Sequence, residues 1–194
     1  MAESKEAAKH EAKERPSEKK GKGGITWEHV ALIFVFVAIL VAAAYFTRSV
    51  LPSTHNVYGL KVVSAGDPEE AMKFALAKPS LLIELRVFDN HNATDSRNGA
   101  LSLMAGTVAQ AVGESGKKAA VYGKYADKDG FVPGSCSKET NFCSNPDIVV
   151  EISGCNCLRV QNGRLQILYD EASMKNQTLL YAIGGVVGGV ARKT

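Results

Sequence analysis

The pattern of apolar and polar positions divides the chain into physically different segments. The first 29 residues are polar and charged, with no apolar periodicity. A charge-free apolar run follows, and beyond Val57 short apolar runs alternate with helical patterns separated by turn residues. The predicted segments are a charged cytoplasmic tail (1–29), a transmembrane helix (30–48), a linker (49–56) and an α/β domain (57–194).

The apolar run from Val30 to Phe46 reads VALIFVFVAILVAAAYF, seventeen residues without a charge. At a rise of ~1.5 Å per residue it makes about 26 Å of helix, close to the thickness of a bilayer core. Trp27 and Tyr45 stand where aromatic side chains settle at the two membrane interfaces. A cleaved secretory signal and a buried core helix are the alternatives. We prefer a retained anchor, because the run exceeds the ~7–15 residues usual in a signal peptide.

The positive charges around this run predict its orientation. Lys19, Lys20 and Lys22 precede it, whereas Arg48 is the only lysine or arginine within ten positions after it. Cytoplasmic flanks of membrane helices carry the excess of lysine and arginine. The sequence therefore predicts a cell-membrane protein with a cytoplasmic N-terminus and its C-terminal domain outside.

The outer segment alternates between strand and helix patterns. Asp67, Pro68 and Glu70 give a helix start, with an N-cap, a proline at the first position and a capping box. Asn162-Gly163 between alternating residues is a strong hairpin signal. The predicted strands are 57–65, 80–88, 118–125, 147–153, 157–161 and 164–169, and the predicted helices are 68–77, 98–114 and 173–192.

This order of elements predicts the fold class. Strands joined through helices by short connections form right-handed, mostly parallel sheets. We therefore expect an α/β sandwich domain of five to six strands, two or three layers deep, in which the hairpin adds an antiparallel edge.

The last predicted helix contains Gly184, Gly185, Gly188 and Gly189. Each glycine costs a helix about 1 kcal/mol relative to alanine, so close approach to a sheet or a partner should compensate. The apolar run Leu179–Val190 is too short to cross a membrane. We expect a core helix lying tightly on the sheet.

Composition excludes a disordered protein and argues against a nucleic-acid binder. The chain is 45% hydrophobic, which excludes a disordered protein after position 57. Its 23 basic residues nearly balance 20 acidic ones, and no basic cluster interleaved with aromatics follows the apolar run, which argues against nucleic-acid binding. The expected partners are the membrane, through one span, and either further copies of the chain or other membrane or surface proteins.

Four cysteines are the most informative group for chemistry. Cys136 and Cys143 lie in a Gly/Ser/Asn-rich loop, and Cys155 and Cys157 form a C-x-C motif. An even number outside the cell predicts structural disulfides, with three pairings open. A zinc site made of all four thiolates and a redox-active Cys155–Cys157 pair are the alternatives.

Other residues carry weaker signals. The segment from Asp89 to Asp95 is rich in oxygen ligands, but turn chemistry explains it better than calcium. Asn92 and Asn176 each begin an N-glycosylation sequon. The common hydrolase, metalloprotease and nucleotide-binding motifs are absent from the sequence. We therefore expect no catalytic residue, cofactor or metal, and favour a binding or structural role over an enzyme.

The residues before the apolar run, Lys19-Lys20-Gly21-Lys22-Gly23-Gly24-Ile25-Thr26-Trp27-Glu28, resemble the class III signal of type IV prepilins, particularly archaeal ones. The resemblance covers residues 19–46. It implies cleavage after Gly23 by a prepilin peptidase, so that Gly24 becomes the first mature residue and Glu28 the fifth. It also implies assembly into a filament, which we keep as an alternative to a plain membrane anchor.

Overall fold

The computed structural model describes residues 26–89, 96–136, 141–173 and 176–194. Its first element is a long helix, α1 (Trp27–Val50). Within it, Trp27–Thr47 has a mean hydropathy of 2.7, and none of that stretch is buried inside the protein. It is the one helix in the described ranges that is long and apolar enough to cross a membrane. A signal sequence near an N-terminus has the same properties.

A seven-stranded sheet forms the centre of the domain. In chain order its strands are β1 (Ser53–Val57), β2 (Leu60–Ser64), β3 (Ser80–Val87), β4 (Lys118–Tyr125), β5 (Ile148–Ile152), β6 (Cys157–Gln161) and β7 (Arg164–Tyr169). In space they follow the order β1-β2-β6-β7-β5-β3-β4. The pairs β4–β3, β3–β5, β5–β7 and β2–β6 are parallel, and β1–β2 and β6–β7 are antiparallel. The predicted mostly parallel α/β class is confirmed.

Two hairpins give the antiparallel pairs. The predicted Asn162-Gly163 turn joins β6 to β7, with φ values of 53° and 71° that suit Asn and Gly. This hairpin lies inside the sheet, whereas the β1–β2 hairpin occupies an edge. Its turn is Tyr58-Gly59, with φ values of 51° and 82°. We predicted one strand over 57–65 and a linker over 49–56, and the structure instead has two strands beginning at Ser53.

Three helices cover one face of the sheet: α2 (Pro68–Ala75), α3 (Ser96–Glu114) and α4 (Gln177–Ala191). The Asp67 side chain accepts the Glu70 N–H at 2.8 Å, which confirms the predicted start of α2. Helix α4 begins four residues later than predicted because Asn176 caps it by accepting the Leu179 N–H at 3.2 Å. The core between helices and sheet includes Met72, Leu101, Met104, Ile148, Leu158, Leu165, Ile167, Tyr169, Ile183 and Val187.

Two glycines of α4 bring it against α3. A Cβ atom at position 184 would come within 2.8 Å of Thr107 Cγ2, and one at position 188 within 3.1 Å of the Ala111 carbonyl oxygen. Gly185 and Gly189 instead face open space. The close approach that we expected is therefore present, but it is made to a neighbouring helix rather than to the sheet.

The opposite face of the sheet is covered in part by the loop between β4 and β5, and we call it the loop face. Phe131, Cys136 and Cys143 of that loop pack on Leu82 and Tyr122. The rings of Tyr122 and Phe131 meet edge to face, with centroids 5.9 Å apart. Side chains alternate along a strand, so the even-numbered residues of β3 and β4 point to this face.

A buried carboxylate fixes the start of β5 beside β3. Asp147 Oδ2 accepts the Leu82 N–H at 2.9 Å, and Oδ1 accepts a hydrogen bond from Lys78 Nζ at 2.5 Å. The backbone N–H of Asp147 donates to the Leu82 carbonyl at 2.9 Å. These bonds set the register at the amino edge of the parallel strands.

Candidate functional site

All four cysteines are paired, each with its nearer neighbour in the sequence. Cys136 is bonded to Cys143, and Cys155 is bonded to Cys157. No thiolate is then left for zinc. The structure therefore has disulfides, as predicted, in one of the three pairings that the sequence left open.

The Cys136–Cys143 disulfide belongs to the cover of the loop face. Cys143 is buried against Leu82 and Tyr122, and Cys136 packs beside it. This loop has few apolar side chains with which to hold itself on the sheet. The bond therefore ties the cover together, and its role is structural.

The Cys155–Cys157 disulfide lies in a different place, between β5 and β6. Strands β3, β4, β5 and β7 are parallel, so their carboxyl ends meet at one edge of the sheet, the edge where α/β proteins bind ligands. Cys155 follows the end of β5, and Cys157 is the first residue of the antiparallel β6. The C-x-C disulfide therefore lies at this carboxyl edge.

Hydrogen bonds hold the residue between the two cysteines. Asn156 Oδ1 accepts the Asp170 N–H at 2.9 Å, and Asn156 Nδ2 donates to Ser173 Oγ at 2.7 Å. The Tyr169 hydroxyl donates to the Ser173 carbonyl at 2.7 Å. Burial raises the pKa of Tyr169, which keeps that hydroxyl protonated as a donor. The oxygen and the nitrogen of the Asn156 side chain thus both fix the C-x-C turn to residues that follow β7.

Exposure and charge distinguish the two sulfurs. Cys155 is half-buried, whereas Cys157 is only 3% exposed. Cys157 is paired with Lys61 in the parallel β2–β6 ladder, and Arg159 follows two positions along β6. Leu60, Val62, Leu158 and Val160 pack in the helix-side core, so Lys61, Cys157 and Arg159 share the loop face. Two cationic side chains therefore flank Cys157.

A second polar cluster lies on the loop face across β3, β4 and β5. Buried Glu84 accepts the Tyr122 hydroxyl at 2.6 Å and Arg86 Nε at 2.9 Å. Arg86 also donates from Nη1 to Glu151 at 2.6 Å. Burial and the bond to Glu84 raise the pKa of Tyr122. Burial acts to lower the pKa of Arg86, but Glu84 and Glu151 outweigh it and the pKa is raised.

The sequence pattern does not predict this cluster, because its members are far apart in the chain. The available signal was a charged residue at alternate positions of an otherwise apolar strand, Glu84 and Arg86 in SLLIELRVF. Each member of the cluster hydrogen-bonds another member: Glu84, Arg86, Tyr122 and Glu151. These bonds link β3, β4 and β5, and they satisfy the four groups without a bound ligand.

A polar cleft of about 410 Å³ opens beside the cluster at the ends of β3 and β4. Arg86, Lys124 and Lys128 line it together with Asp127 and Asp129. Lys128 is paired with Asp89, which raises the pKa of the lysine. The rest of the Asp89–Asp95 segment lies outside the described residues. No group of three or more His, Cys, Asp or Glu side chains in the described part of the chain is arranged to hold a metal ion.

Two depressions flank the outer surface of α4, the larger of mixed polarity and the smaller mostly apolar. One, of about 440 Å³, runs between α3 and α4 and is lined by Leu103, Thr107 and Tyr181 among others. The other, of about 330 Å³, lies between Tyr58 and the exposed glycines Gly185 and Gly189. Phe74 and Tyr181 are also largely exposed on this helical side. The helix layer thus exposes large aromatic side chains beside both depressions.

The remaining predicted residues are scattered. Glu28 lies in the first turn of α1 and is exposed. Asn176 is exposed at the start of α4, where its side chain caps the helix. Gly23, Gly24 and Asn92 lie outside the described residues.

The chain was compared with protein-family models, with curated proteins and with solved structures. None of the three comparisons finds a match. The features that the structure shows are an apolar helix near the N-terminus, an α/β domain and two local disulfides.

Proposed function

We propose that this protein is a single-pass membrane protein whose outer α/β domain performs binding or structural work at the cell surface. The observation that carries the proposal is α1, whose apolar side chains are exposed on every side along Trp27–Thr47. A helix that is apolar all round needs either a protein core or a lipid environment. Since the protein itself buries none of this stretch, lipid is the environment that fits.

The disulfides support an outer location for the domain. Cys136–Cys143 and Cys155–Cys157 account for all four cysteines. Disulfides persist in oxidising compartments and are rare in the cytosol. Together with the basic residues before α1, they favour a cytoplasmic N-terminus and a domain on the far side of the membrane.

The exposed aromatic side chains beside the depressions of α4 support a binding role. Aromatic side chains are enriched in protein–protein interfaces. Tyr58, Phe74 and Tyr181 are each at least two-thirds exposed on the helical side of the domain. A protein partner at the cell surface, or another copy of the chain, suits such a surface.

Assembly into a pilin-like filament is the second candidate. The feature that favours it is Glu28, the acidic residue in the first turn of the apolar helix. In a filament its carboxylate would neutralise the N-terminal amine of a neighbouring subunit, freed by cleavage before Gly24. An unpaired charge in the low-dielectric filament core is costly, so that pairing would direct assembly.

Sequencing the N-terminus of the protein extracted from membranes distinguishes these functions. A chain that starts at residue 1 or 2 supports the plain anchor. A chain that starts at Gly24 supports the filament subunit. A chain that starts after Phe46 and is released from the membrane contradicts both, since α1 would then be a cleaved signal.

A further inference from the structure

The disulfide at the carboxyl edge of the sheet has the properties of a reactive bond. We propose that Cys155–Cys157 is an exchangeable disulfide that oxidises pairs of thiols in partner proteins outside the membrane. This inference rests on the proposed function in one respect: an extracytoplasmic location keeps the Cys155–Cys157 bond oxidised at rest. The other disulfide, Cys136–Cys143, is structural and provides an internal comparison.

The first argument is how little the bond contributes to the fold. A disulfide stabilises a protein mainly by restricting the unfolded chain, and the effect grows with the length of the closed loop. Cys155 and Cys157 are two positions apart, whereas Cys136 and Cys143 are seven apart. The C-x-C disulfide therefore contributes less to the stability of the fold than Cys136–Cys143 does. Hydrogen bonds from Asn156 to Asp170 and Ser173 already fix the same turn.

The second argument is access. Cys155 is half-buried, while Cys157 is only 3% exposed. Cys155 is therefore the more accessible residue of the pair, and we assign its sulfur as the one that an incoming thiolate attacks. One sulfur is the point of attack and the other is the leaving group, which is the division of roles that directional exchange requires.

The third argument is the charge around the leaving sulfur. Lys61 is paired with Cys157 in the sheet and Arg159 lies two positions along, both on the loop face with it. Neighbouring cations stabilise a thiolate, and a leaving thiol of lower pKa departs faster. The same charges keep Cys157 reactive for closing the bond again.

The exchange balances as two displacements. A substrate thiolate attacks Cys155 Sγ, the Cys155–Cys157 bond breaks, and its electron pair and then a proton go to Cys157. The second substrate thiolate attacks the substrate sulfur of the mixed disulfide, which forms the substrate disulfide and leaves the electron pair and a proton on Cys155. The substrate loses two electrons and two protons to the protein dithiol, and a more oxidising disulfide compound returns the protein to its resting state.

Glutathione titration of the full-length protein in detergent tests the proposal. The protein is equilibrated with increasing ratios of reduced to oxidised glutathione, free thiols are alkylated, and each cysteine is followed by mass spectrometry. We expect Cys155 and Cys157 to become reduced at a value of [GSH]²/[GSSG] at least tenfold lower than Cys136 and Cys143, a separation of about 30 mV. Reduction of both bonds at the same value, or of Cys136–Cys143 first, would overturn the proposal.

Two single variants test the assigned roles. Cys157→Ser leaves the half-buried thiol of Cys155, and Cys155→Ser leaves the buried thiol of Cys157. With oxidised glutathione as probe, we expect Cys157→Ser to form the mixed disulfide at Cys155 at least tenfold faster than Cys155→Ser forms one at Cys157. Equal rates would contradict the proposed point of attack.

Transfer to a substrate is measured with a reduced dithiol peptide. The oxidised wild type should form one peptide disulfide per protein molecule, and Lys61→Gln should slow the reaction severalfold while Lys118→Gln, a lysine at the far edge of the sheet, should not. The absence of peptide oxidation, or equal rates for the two lysine variants, counts against the proposal. These assays in detergent do not depend on membrane orientation, so their failure and a failure of the proposed location are separate results.

Discussion

Gly188 of α4 lies so close to Ala111 of α3 that a methyl group at position 188 would come within 3.1 Å of both the Ala111 Cβ atom and its carbonyl oxygen. Because a backbone atom is involved, a side-chain rotation cannot relieve the contact. The contact explains the glycine at position 188, although glycine disfavours a helix by about 1 kcal/mol relative to alanine. It also separates the four glycines of α4 into two pairs with opposite expected responses.

Alanine substitutions should reveal that division. Gly188→Ala should destabilise the domain by about 1–3 kcal/mol, since overpacking forces α3 and α4 apart. Gly185→Ala, which meets open space, should stabilise it by up to about 1 kcal/mol. Urea unfolding of the full-length protein in detergent measures both. A Gly188→Ala protein as stable as Gly185→Ala would mean that the helices are not in contact there.

Asp147 should be important for stability because its carboxylate satisfies a buried backbone N–H. Asp147→Ala leaves the Leu82 N–H without its acceptor and should cost about 1–3 kcal/mol. Asp147→Asn keeps an acceptor oxygen and loses only the charge pairing with Lys78, whose side chain is 60% exposed. Because the Lys78 end of the pair is solvated, losing the charge pairing should cost about 1 kcal/mol, so the asparagine variant should be the milder one. Equal losses of unfolding free energy in the two variants would refute this assignment.

Tyr122 should make the domain sensitive to alkaline pH. Burial and the bond to Glu84 raise its pKa in the folded state above the ordinary tyrosine value of about 10. The unfolded chain therefore releases this proton first as the pH rises, and stability falls above pH ~10. Unfolding free energies at several alkaline pH values should fall more steeply for the wild type than for Tyr122→Phe.

The control for this prediction is Tyr181→Phe, at an exposed tyrosine. That variant should follow the wild-type curve, because it keeps Tyr122 and its hydrogen bond to Glu84. If Tyr122→Phe also follows the wild-type curve, the Tyr122–Glu84 bond does not contribute to stability.

Local signals in the sequence predicted local structure well. Asp67, Pro68 and Glu70 specify the start of α2 through contacts within four residues, and Asn162-Gly163 specifies its turn because both residues accept positive φ. The Tyr58-Gly59 turn was missed because tyrosine is unusual at a φ of 51° and gives no turn signal. For that reason the β1–β2 hairpin was read as one strand.

The sequence pattern could not predict features that depend on residues far apart in the chain. The order of strands places the Asn162-Gly163 hairpin inside the sheet, and nothing within the hairpin specifies that position. The Glu84–Tyr122 bond joins residues 38 positions apart. The contact of Gly188 with Ala111 depends on how two helices cross, which periodicity does not encode.

The central claim, that α1 anchors the domain outside the membrane, is tested most directly by protease treatment of intact cells. One epitope is placed in the tail before Trp27 and another after Leu51, next to the domain, with lysed cells as the control for cleavage. The account predicts that the protease removes the epitope after Leu51 from intact cells and spares the one before Trp27, which is lost only on lysis. Protection of the epitope after Leu51 together with loss of the N-terminal one would contradict it.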